Sequence, residues 1–541
     1  MDRVYVRPVV FQPTAGPAMQ RGVNRIANVV RPTLGPIPRL VAIEQTSRMR
    51  TPEILDNAAL IARRIIEIPD RDEDMGAMFV RHLLWRLHEE TGDGTATAAV
   101  LFQSIFNQGL QYVVAGGNAQ LLRRYLEQGI QVILDELSRI TVPVQGSAAL
   151  AHAAETICQD PALSAMLGEI FDTIGEYGQL DVRSGKGREL EREYIEGMWW
   201  SSGLLSPYMV TDPLRQRADL ESAAVLVSDL AIEDPHALVP LLEMLIQAEL
   251  RTLVIVASRL SESTIGLLLT NRERIGLNII AVRTPGGDTG QQTAALQDLA
   301  IFTGGRPLLQ ATGASVQQAK LSDLGSSRRA WADQRFFGLV GGGGDPRTLR
   351  SHIAALRETV RRAETLEQRL SLQGRIGRFM GGSATLFVGG ATELEIAARK
   401  ELATRTAAAV RGAMMEGVLP GGGVALLACQ SVLRERFEQS SERDERMAYR
   451  ILLNAMEIPA RTIMMNAGYD PGATMAHLAQ LSPGHGIDVR CGEVVDLARA
   501  GVVDVATVQK AAVRSAISGA ALALTIDVLI HPTQRQQAVA P

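Results

Sequence analysis

The middle of the chain has a different hydrophobic pattern from its two ends, and this contrast constrains the fold most. In the middle, β-rich runs such as AAVLVSDL, RTLVIVAS and NIIAVRTP alternate with helical segments such as PHALVPLLEMLIQAE, a pattern typical of an α/β domain. On either side, apolar residues recur at i, i+3, i+4 and i+7, as in MGAMFVRHLLWRLHEE, which predicts amphipathic helices. The two helical ends can therefore fold into one domain, with the α/β part inserted between them.

Size and composition narrow the class of protein. Single hydrophobic cores rarely grow beyond about 250–300 residues, so a chain of 541 residues is expected to form two or three domains. The net charge is −4 and the basic residues are scattered, which argues against a nucleic-acid partner. Cys158, Cys429 and Cys491 have no CxxC spacing, so neither a disulfide framework nor a zinc site is predicted.

The sequence also indicates a location. It contains no apolar stretch of 18 residues, and its first residues, MDRVYVRPVVFQP, lack the apolar core of a signal peptide. Few cysteines without a pairing pattern agree with a reducing compartment. We therefore expect a cytoplasmic protein without a membrane partner.

The segment TGDGTATAAVL, residues 91–101, has the composition of a phosphate-binding turn. Gly92 and Gly94 permit close backbone approach, and Thr95 and Thr97 follow at a helix N-terminus, where the helix dipole favours anions. Asp93 would repel a phosphate unless a hard cation such as Mg²⁺ lies between the two. The segment predicts a metal–nucleotide site, and the alternative is an Asp and Thr helix cap after a glycine turn.

Other motifs are less informative. The three glycines at 421–423 open a helix, and they indicate either tight packing or a ligand contact. GGGGDP at 341–346 is followed by no phosphate-loop lysine and predicts a surface loop. His82 and His88 are six residues apart, which is not a metal-ligand spacing on a helix. The sequence contains no GxSxG motif, so it gives no support to covalent catalysis by a serine.

Taken together, six segments identify a family resemblance. VRPTLGPIPRLVAIE, TGDGTATAAVL, EGMWWSSGLLSPYM, EGVLPGGGVALL, AMEIPARTIMMNAGYDP and GEVVDLARAGVVD occur in the order and approximate spacing of a group I chaperonin. The chain resembles the GroEL family over nearly its full length. The resemblance implies a multidomain α and α/β fold with a helical equatorial domain (1–139 and 415–541), a hinge-like intermediate domain (140–195 and 383–414) and an α/β apical polypeptide-binding domain (196–382).

The resemblance also implies a nucleotide pocket for ATP and Mg²⁺, with K⁺ as a further candidate ion. Matched residues are Thr33, Leu34, Gly35 and Pro36 at one phosphate edge, Gly94, Thr95, Ala96 and Thr97 around the phosphates, Asp93 on Mg²⁺, and Gly422, Asp488 and Asp504 at the base and ribose. Asp56 matches a family aspartate beside the γ-phosphate, and Leu55 replaces the lysine that precedes it.

One position departs from the family in a way that concerns catalysis. The family aspartate that activates the attacking water falls on Arg405, and the surrounding segment KELATRTAAAVRGAM contains no aspartate. Arginine stays protonated and cannot act as a general base, although it can pair with a γ-phosphate. Glu401 lies one helical turn earlier and is the alternative base.

Two functions therefore stay open. One is an ATP-dependent chaperone ATPase that captures unfolded polypeptides and assists their folding in a ring. The other is a degenerate paralogue that binds ATP with little hydrolysis and acts as a holding or scaffold protein. A small-molecule kinase or synthetase would need a substrate pocket that no segment defines.

The resemblance implies partners as well. The apolar face for unfolded polypeptides would consist of Leu204, Tyr208, Met209, Val239, Leu242, Ile265, Leu269 and Thr270. Arg461 and Asp470 match a family pair of opposite charges between rings, which predicts a homo-oligomeric double ring. A co-chaperonin is a further candidate partner.

Overall fold

The computed structural model describes residues 9–37, 39–44, 52–185, 187–195, 197–212, 216–363, 365–380, 382–481 and 484–531. The α-helices are α1 Ala15–Val30, α2 Ala58–Arg64, α3 Arg71–Thr91, α4 Thr95–Val114, α5 Ala119–Ile140, α6 Ser147–Cys158, α7 Pro161–Ile174, α8 Val239–Gln247, α9 Glu262–Ile275, α10 Thr289–Thr303, α11 Pro346–Arg362, α12 Leu366–Met380, α13 Glu393–Glu416, α14 Val424–Ala428, α15 Gln430–Gln439, α16 Arg443–Asn466, α17 Pro471–Leu478 and α18 Ala506–Ala523.

The strands are β1 Val9–Phe11, β2 Val41–Ile43, β3 Glu53–Leu55, β4 Gln179–Ser184, β5 Glu191–Ile195, β6 Met198–Trp200, β7 Ala218–Val227, β8 Ala231–Ile232, β9 Thr252–Ala257, β10 Arg259–Leu260, β11 Asn278–Arg283, β12 Gly325–Ala332, β13 Phe337–Gly342, β14 Ser383–Val388, β15 Val418–Pro420, β16 His485–Asp488, β17 Glu493–Asp496, β18 Val503–Val505 and β19 Val528–Ile530. The order of elements is helical, then α/β, then helical, as the sequence pattern predicts.

The chain divides into two compact units. The first unit comprises Met1–Asp172, Ser184–Leu190 and Phe387–Pro541, and the second comprises Thr173–Arg183 and Glu191–Leu386. The three-domain division expected from the family resemblance, with its boundaries, stays a prediction. Within the described ranges, no helix has the length and apolarity that a membrane crossing requires.

Both ends of the chain contribute to a large hydrophobic core in the first unit. Ile26, Leu84 and Phe102 come from the N-terminal helices, and Leu452 and Ile517 come from α16 and α18; all five belong to the same buried cluster. Strand β1 also pairs antiparallel with β19. The core therefore ties together segments that lie more than 300 residues apart.

Helices α1 and α3 cross closely because glycines lie at their contact. A Cβ atom on Gly22 would come within 1.8 Å of the Glu73 carbonyl oxygen, and one on Gly76 would come within 2.2 Å of the Met19 carbonyl oxygen. Real side chains do not approach backbone atoms so closely. The crossing therefore requires glycine at both positions.

The second unit is built on a six-stranded sheet in the order β11–β9–β7–β12–β13–β6. Strands β11, β9 and β7 are parallel, whereas β12 and β13 are antiparallel to their neighbours. Leu299, Leu356 and Ile376 from α10, α11 and α12 pack on one face, and Leu245 and Leu268 from α8 and α9 pack on the other. The prediction of an α/β arrangement in the middle of the chain is confirmed.

The glycine cluster at 341–346 has a packing role. It lies at the surface, as predicted, but a Cβ atom on Gly344 would come within 2.0 Å of the Ile301 carbonyl oxygen, and one on Gly342 within 2.2 Å of the Phe302 carbonyl oxygen. The segment therefore passes close to the end of α10, which only glycine permits.

The crossing of α1 and α3 leads to a stability prediction. Gly22→Ala and Gly76→Ala should each lower the free energy of unfolding by about 3 kcal/mol or more, at the upper end of overpacking effects. The midpoint of urea denaturation measures the change. Gly374→Ala is the control, because a Cβ atom there meets nothing within 4 Å and alanine stabilises a helix by about 0.5–1 kcal/mol relative to glycine. Equal midpoints for all three variants would contradict the prediction.

Candidate functional site

A cavity of about 410 Å³ lies in the first unit, a size that suits a small organic ligand. Every residue that the family resemblance assigned to the nucleotide lines this cavity: Thr33, Leu34, Gly35, Pro36, Asp56, Asp93, Gly94, Thr95, Ala96, Thr97, Gly422, Asp488 and Asp504. Arg405 lines it as well. The fold thus brings these separate segments together, while their individual roles stay predictions.

The N-terminus of α4 is open toward a ligand. Helix α3 ends at Thr91, Gly92 and Gly94 have φ angles of 74° and 80°, and Gly94 is the N-cap of α4. No side chain accepts a hydrogen bond at this cap, whereas Asn57 caps the nearby α2 through the N–H groups of Ala59 and Leu60. The alternative of an aspartate helix cap is therefore wrong, and the first N–H groups of α4 have no side-chain acceptor.

The glycine turn is held between two helices from the C-terminal half of the chain. A Cβ atom on Gly92 would come within 2.6 Å of the Arg405 carbonyl oxygen in α13, and one on Gly94 within 2.7 Å of a Val508 methyl group in α18. Both glycines have positive φ angles, which side chains disfavour. Glycine is thus required twice at each position, by conformation and by packing.

The position of Asp93 is suited to a cation that would lie between its carboxylate and an anionic ligand. Its carboxylate follows Gly92 and precedes the open N-terminus of α4, and both line the same cavity. Among the described residues, no group of three or more His, Cys, Asp or Glu side chains is able to hold a metal ion. A cation here would therefore depend on ligand oxygens in addition to Asp93, as Mg²⁺ does when it bridges protein and phosphates.

Asp504 lies on β18, just before α18; the residue is partly exposed, and its carboxyl group is enclosed by the protein. Burial and, to a lesser extent, the negative charge of Asp93 raise its pKa to about 7, against the opposing effect of a hydrogen bond from Gln509. The Gln509 amide nitrogen donates to the Asp504 carboxyl oxygen at 2.8 Å. A ligand that donates a hydrogen bond to Asp504 would stabilise its charged form.

Arg405 places a positive charge in the cavity. Its Nη2 atom lies 3.8 Å from the Asp56 carboxyl oxygen, and its side chain is 15% exposed. Glu401 is not among the residues that line the cavity; burial raises the pKa of its carboxyl, and the charge of Arg405 opposes this. In this structure Glu401 therefore does not occupy the position of the missing base.

The late glycine turn is tightly packed and also borders the cavity, while its contact with a ligand stays a prediction. A Cβ atom on Gly423 would come within 2.7 Å of the Ala460 backbone nitrogen, which is tight packing against α16. Gly422 and Gly423 also line the cavity, so the turn contacts the ligand space as well. Thr33 uses its hydroxyl locally, since it donates to the Val30 carbonyl oxygen at 2.7 Å.

Sequence reasoning missed one wall of the cavity. This wall consists of residues in and after α6 and of residues around β16: His152, Glu155, Thr156, Ile157, Gln159, Ile487, Val489 and Arg490. Helical periodicity in α6 predicts a helix and says nothing about which of its polar residues face a ligand. Only the docking of α6 against α13 and β18 brings it to the cavity.

The predicted polypeptide-binding residues separate into surface and core. Tyr208 is 77% exposed. Leu204, Val239, Ile265 and Leu269 are partly buried, and Thr270 is exposed, with its hydroxyl donating to the Gly266 carbonyl oxygen.

Two members of the predicted face need correction. Met209 is fully buried and Leu242 is 4% exposed, and both belong to the core between the sheet and α8. The Met209 sulfur also accepts a hydrogen bond from the Ala281 N–H. These two side chains stabilise the second unit and do not offer binding surface in this structure.

The two charges expected between rings have partners within the chain. Arg461 pairs with Glu457 at 2.8 Å, and Asp470 caps α17 by accepting a hydrogen bond from the Gly472 N–H. Both side chains stay partly or fully exposed. The double ring therefore stays a prediction.

The fold is similar to that of known proteins. The model of the TCP-1/cpn60 chaperonin family matches residues 26–534. Two crystal structures of the chaperonin gp146 from bacteriophage EL, obtained in the presence of ATP-BeFx, are similar over the whole chain. Crystal form I has a TM-score of 0.74 at 17% identity and covers 97% of this chain and 99% of that one. Crystal form II has a TM-score of 0.66 at 18% identity and covers 96% and 98%.

The buried Asp504 carboxyl leads to a prediction about pH. Its pKa rises from 3.8 in the unfolded chain to about 7 when folded, so its contribution to stability is fully present below pH about 4 and is lost as the pH rises to about 7. Asp504→Asn should therefore be more stable than the wild type at pH 8, on the order of a few kcal/mol at about 1.4 kcal/mol per pKa unit.

Thermal unfolding of both proteins without nucleotide at pH 5 and pH 8 measures this effect. The stability difference between Asp504→Asn and the wild type should grow with pH, because asparagine cannot become charged. A difference that stays constant between the two pH values would show that the carboxyl is not buried in solution as it is here.

Proposed function

The chain belongs to the TCP-1/cpn60 chaperonin family, and from this we propose that it is an ATP-dependent chaperone that captures unfolded polypeptides within a ring of identical subunits. Family membership supports a chaperone role, binding of substrate proteins and ring assembly. The details of the proposal concern the identity of the ligand, the rate at which it is hydrolysed and the surface that binds polypeptide.

The open N-terminus of α4 beside Asp93 is the observation that carries the nucleotide proposal. Thr95, Ala96 and Thr97 line the cavity at this helix end, and no side chain caps them. Helix N-termini of this kind bind phosphate groups through N–H donors and the helix dipole. Asp93 would hold Mg²⁺ against the same phosphates, and Mg²⁺ would neutralise their charge and orient them. K⁺ stays a further candidate ion.

Slow hydrolysis follows from the side chain at position 405. Arg405 lines the cavity where the family resemblance places the residue that activates water, and a guanidinium group cannot accept the proton. Losing a positioned general base typically lowers a rate by about 10²- to 10⁴-fold. The same positive charge supports binding of the substrate, which lowers Kd without raising the chemical rate.

This position also favours a second candidate function. A chaperonin that binds ATP and rarely hydrolyses it would hold its clients or act as a scaffold, because nucleotide binding alone sets the conformation of the ring. The two functions differ in the rate of nucleotide turnover and in whether a bound client is released. A double ring, a co-chaperonin partner and a cytoplasmic location belong to the proposal in either case.

The surface proposed for unfolded polypeptide consists of Tyr208, Val239, Ile265 and Leu269, with Thr270 at its edge. These apolar side chains are exposed or partly exposed around α8 and α9. Burial of apolar surface is non-directional and contributes about 25 cal/mol per Å². Such a surface can therefore accept many different unfolded chains.

The nucleotide site gives the first functional prediction. The wild type should bind Mg·ATP and hydrolyse it about 10²- to 10⁴-fold more slowly than chaperonins with a catalytic aspartate. Asp93→Ala should abolish Mg²⁺-dependent binding, and Arg405→Asp should raise turnover while affinity stays equal or falls. Calorimetric titration measures binding, and phosphate release at saturating ATP measures turnover.

Cys491→Ser is the matched control, because this exposed residue is absent from the residues that line the cavity and the change should affect neither quantity. Ordinary chaperonin turnover in the wild type, or no gain in Arg405→Asp, would mean that another group supplies the base.

The proposed polypeptide surface gives a second functional prediction. Replacing Val239 and Ile265 together by Ser should weaken capture of a denatured test protein by about tenfold, which corresponds to losing about 50–60 Å² of buried apolar surface. Leu394→Ser is the control, since this leucine is 84% exposed and lies on α13. Leu242 is unsuitable because it is in the core. If the double variant captures as well as the control, polypeptide binds elsewhere.

A further inference from the structure

We propose that Arg405 distinguishes nucleoside triphosphates from diphosphates, and that Asp56 is the group it releases when the third phosphate binds. This inference rests on the proposed nucleotide site and adds a specificity-determining residue to it. It concerns binding and makes no claim about the chemical step.

The position of Arg405 is rigid relative to the phosphate-binding turn. The Arg405 backbone packs directly against Gly92, where an added Cβ atom would come within 2.6 Å of its carbonyl oxygen. The next residue, Thr406, is fully buried, and its hydroxyl donates to the Leu402 carbonyl oxygen at 2.7 Å. The backbone that carries the Arg405 side chain is therefore packed against the turn that leads into α4.

The hydrogen-bond donors of Arg405 are not committed to the protein. In the described part of the chain, its guanidinium makes no hydrogen bond, and its ion pair with Asp56 has a separation of 3.8 Å. That separation exceeds a normal N–H···O bond of about 2.7–3.2 Å. Asp56 is itself 50% exposed, so water can solvate its carboxylate when the pair opens. The contact is loose and inexpensive to break.

The charges around Arg405 leave it as the cation that a terminal phosphate would meet. Asp56 faces it from the segment between β3 and α2, and Glu401 and His88 lie near enough to interact with it electrostatically. Asp93 lies on the turn that Arg405 supports. With a diphosphate bound, Arg405 stays paired with Asp56. A third phosphate brings oxygens that a planar guanidinium can bind in bidentate fashion, and it displaces the carboxylate.

Two consequences can be measured. The wild type should prefer the triphosphate, and this preference should depend on residue 405. Asp56 competes with the phosphate for the same guanidinium, so its effect should exist only when Arg405 is present.

The experiment is a calorimetric titration with Mg·AMP-PNP, a triphosphate analogue that resists hydrolysis, and with Mg·ADP. Arg405→Gln should weaken AMP-PNP binding by about 10- to 100-fold, the effect expected for hydrogen bonds to charged groups, while ADP binding changes by less than about threefold. Arg405→Lys should retain part of the preference, because a point charge remains without the bidentate geometry. Arg361→Gln is the control, since Arg361 is 76% exposed on α11 and is absent from the residues that line the cavity, so that its loss should change neither affinity.

Asp56→Asn completes the test. It should tighten AMP-PNP binding several-fold in the wild-type background and have no such effect in the Arg405→Gln background. Equal losses of AMP-PNP and ADP affinity in Arg405→Gln, or an unchanged ratio, would overturn the inference while the nucleotide site stands. Absence of binding by either nucleotide to the wild type would overturn the proposed function as well. Circular dichroism and the mass of the assembly show whether each variant is folded.

Discussion

The close backbone contact of the glycine turn at 92–94 with α13 and α18 is the constraint on which the candidate site depends. Gly92 meets the Arg405 carbonyl oxygen, and Gly94 meets Val508. These contacts bring the junction of α3 and α4 against two helices that lie more than 300 residues later in the chain. The cavity forms at this meeting point, and larger side chains at either glycine would separate its walls. A hydrophobic core in the same unit joins both ends of the chain.

The charges in the cavity suit the binding of an anionic ligand. An uncapped helix N-terminus and Arg405 attract phosphate oxygens, and Asp93 supplies a carboxylate for a cation. Asp504 is neutral or charged around pH 7 according to its surroundings. Asp56 pairs loosely with Arg405 in the cavity, and Glu401 is not among the residues that line it. If a nucleotide is the ligand, as we propose, Arg405 and the uncapped end of α4 would hold its phosphates.

In the second unit, packing decides which apolar residues are available to a partner. The sheet and α8 bury Met209 and Leu242, whereas Tyr208 extends into solvent. Tyr208 and Met209 are adjacent in the sequence, yet only Tyr208 is exposed.

The sequence by itself determined the helical and α/β segments, the glycine turns, the family resemblance and many of the residues that line the cavity. These features depend on periodicity and on conformations that a few adjacent residues specify, such as the positive φ angles of Gly92 and Gly94. Tertiary structure decided the rest. The wall formed by α6, the burial of Met209 and Leu242, the rise in the pKa of Asp504 and the loose pair of Arg405 with Asp56 all arise between residues far apart in the chain. Packing distance and exclusion of water set these properties, and neither quantity can be obtained from local sequence.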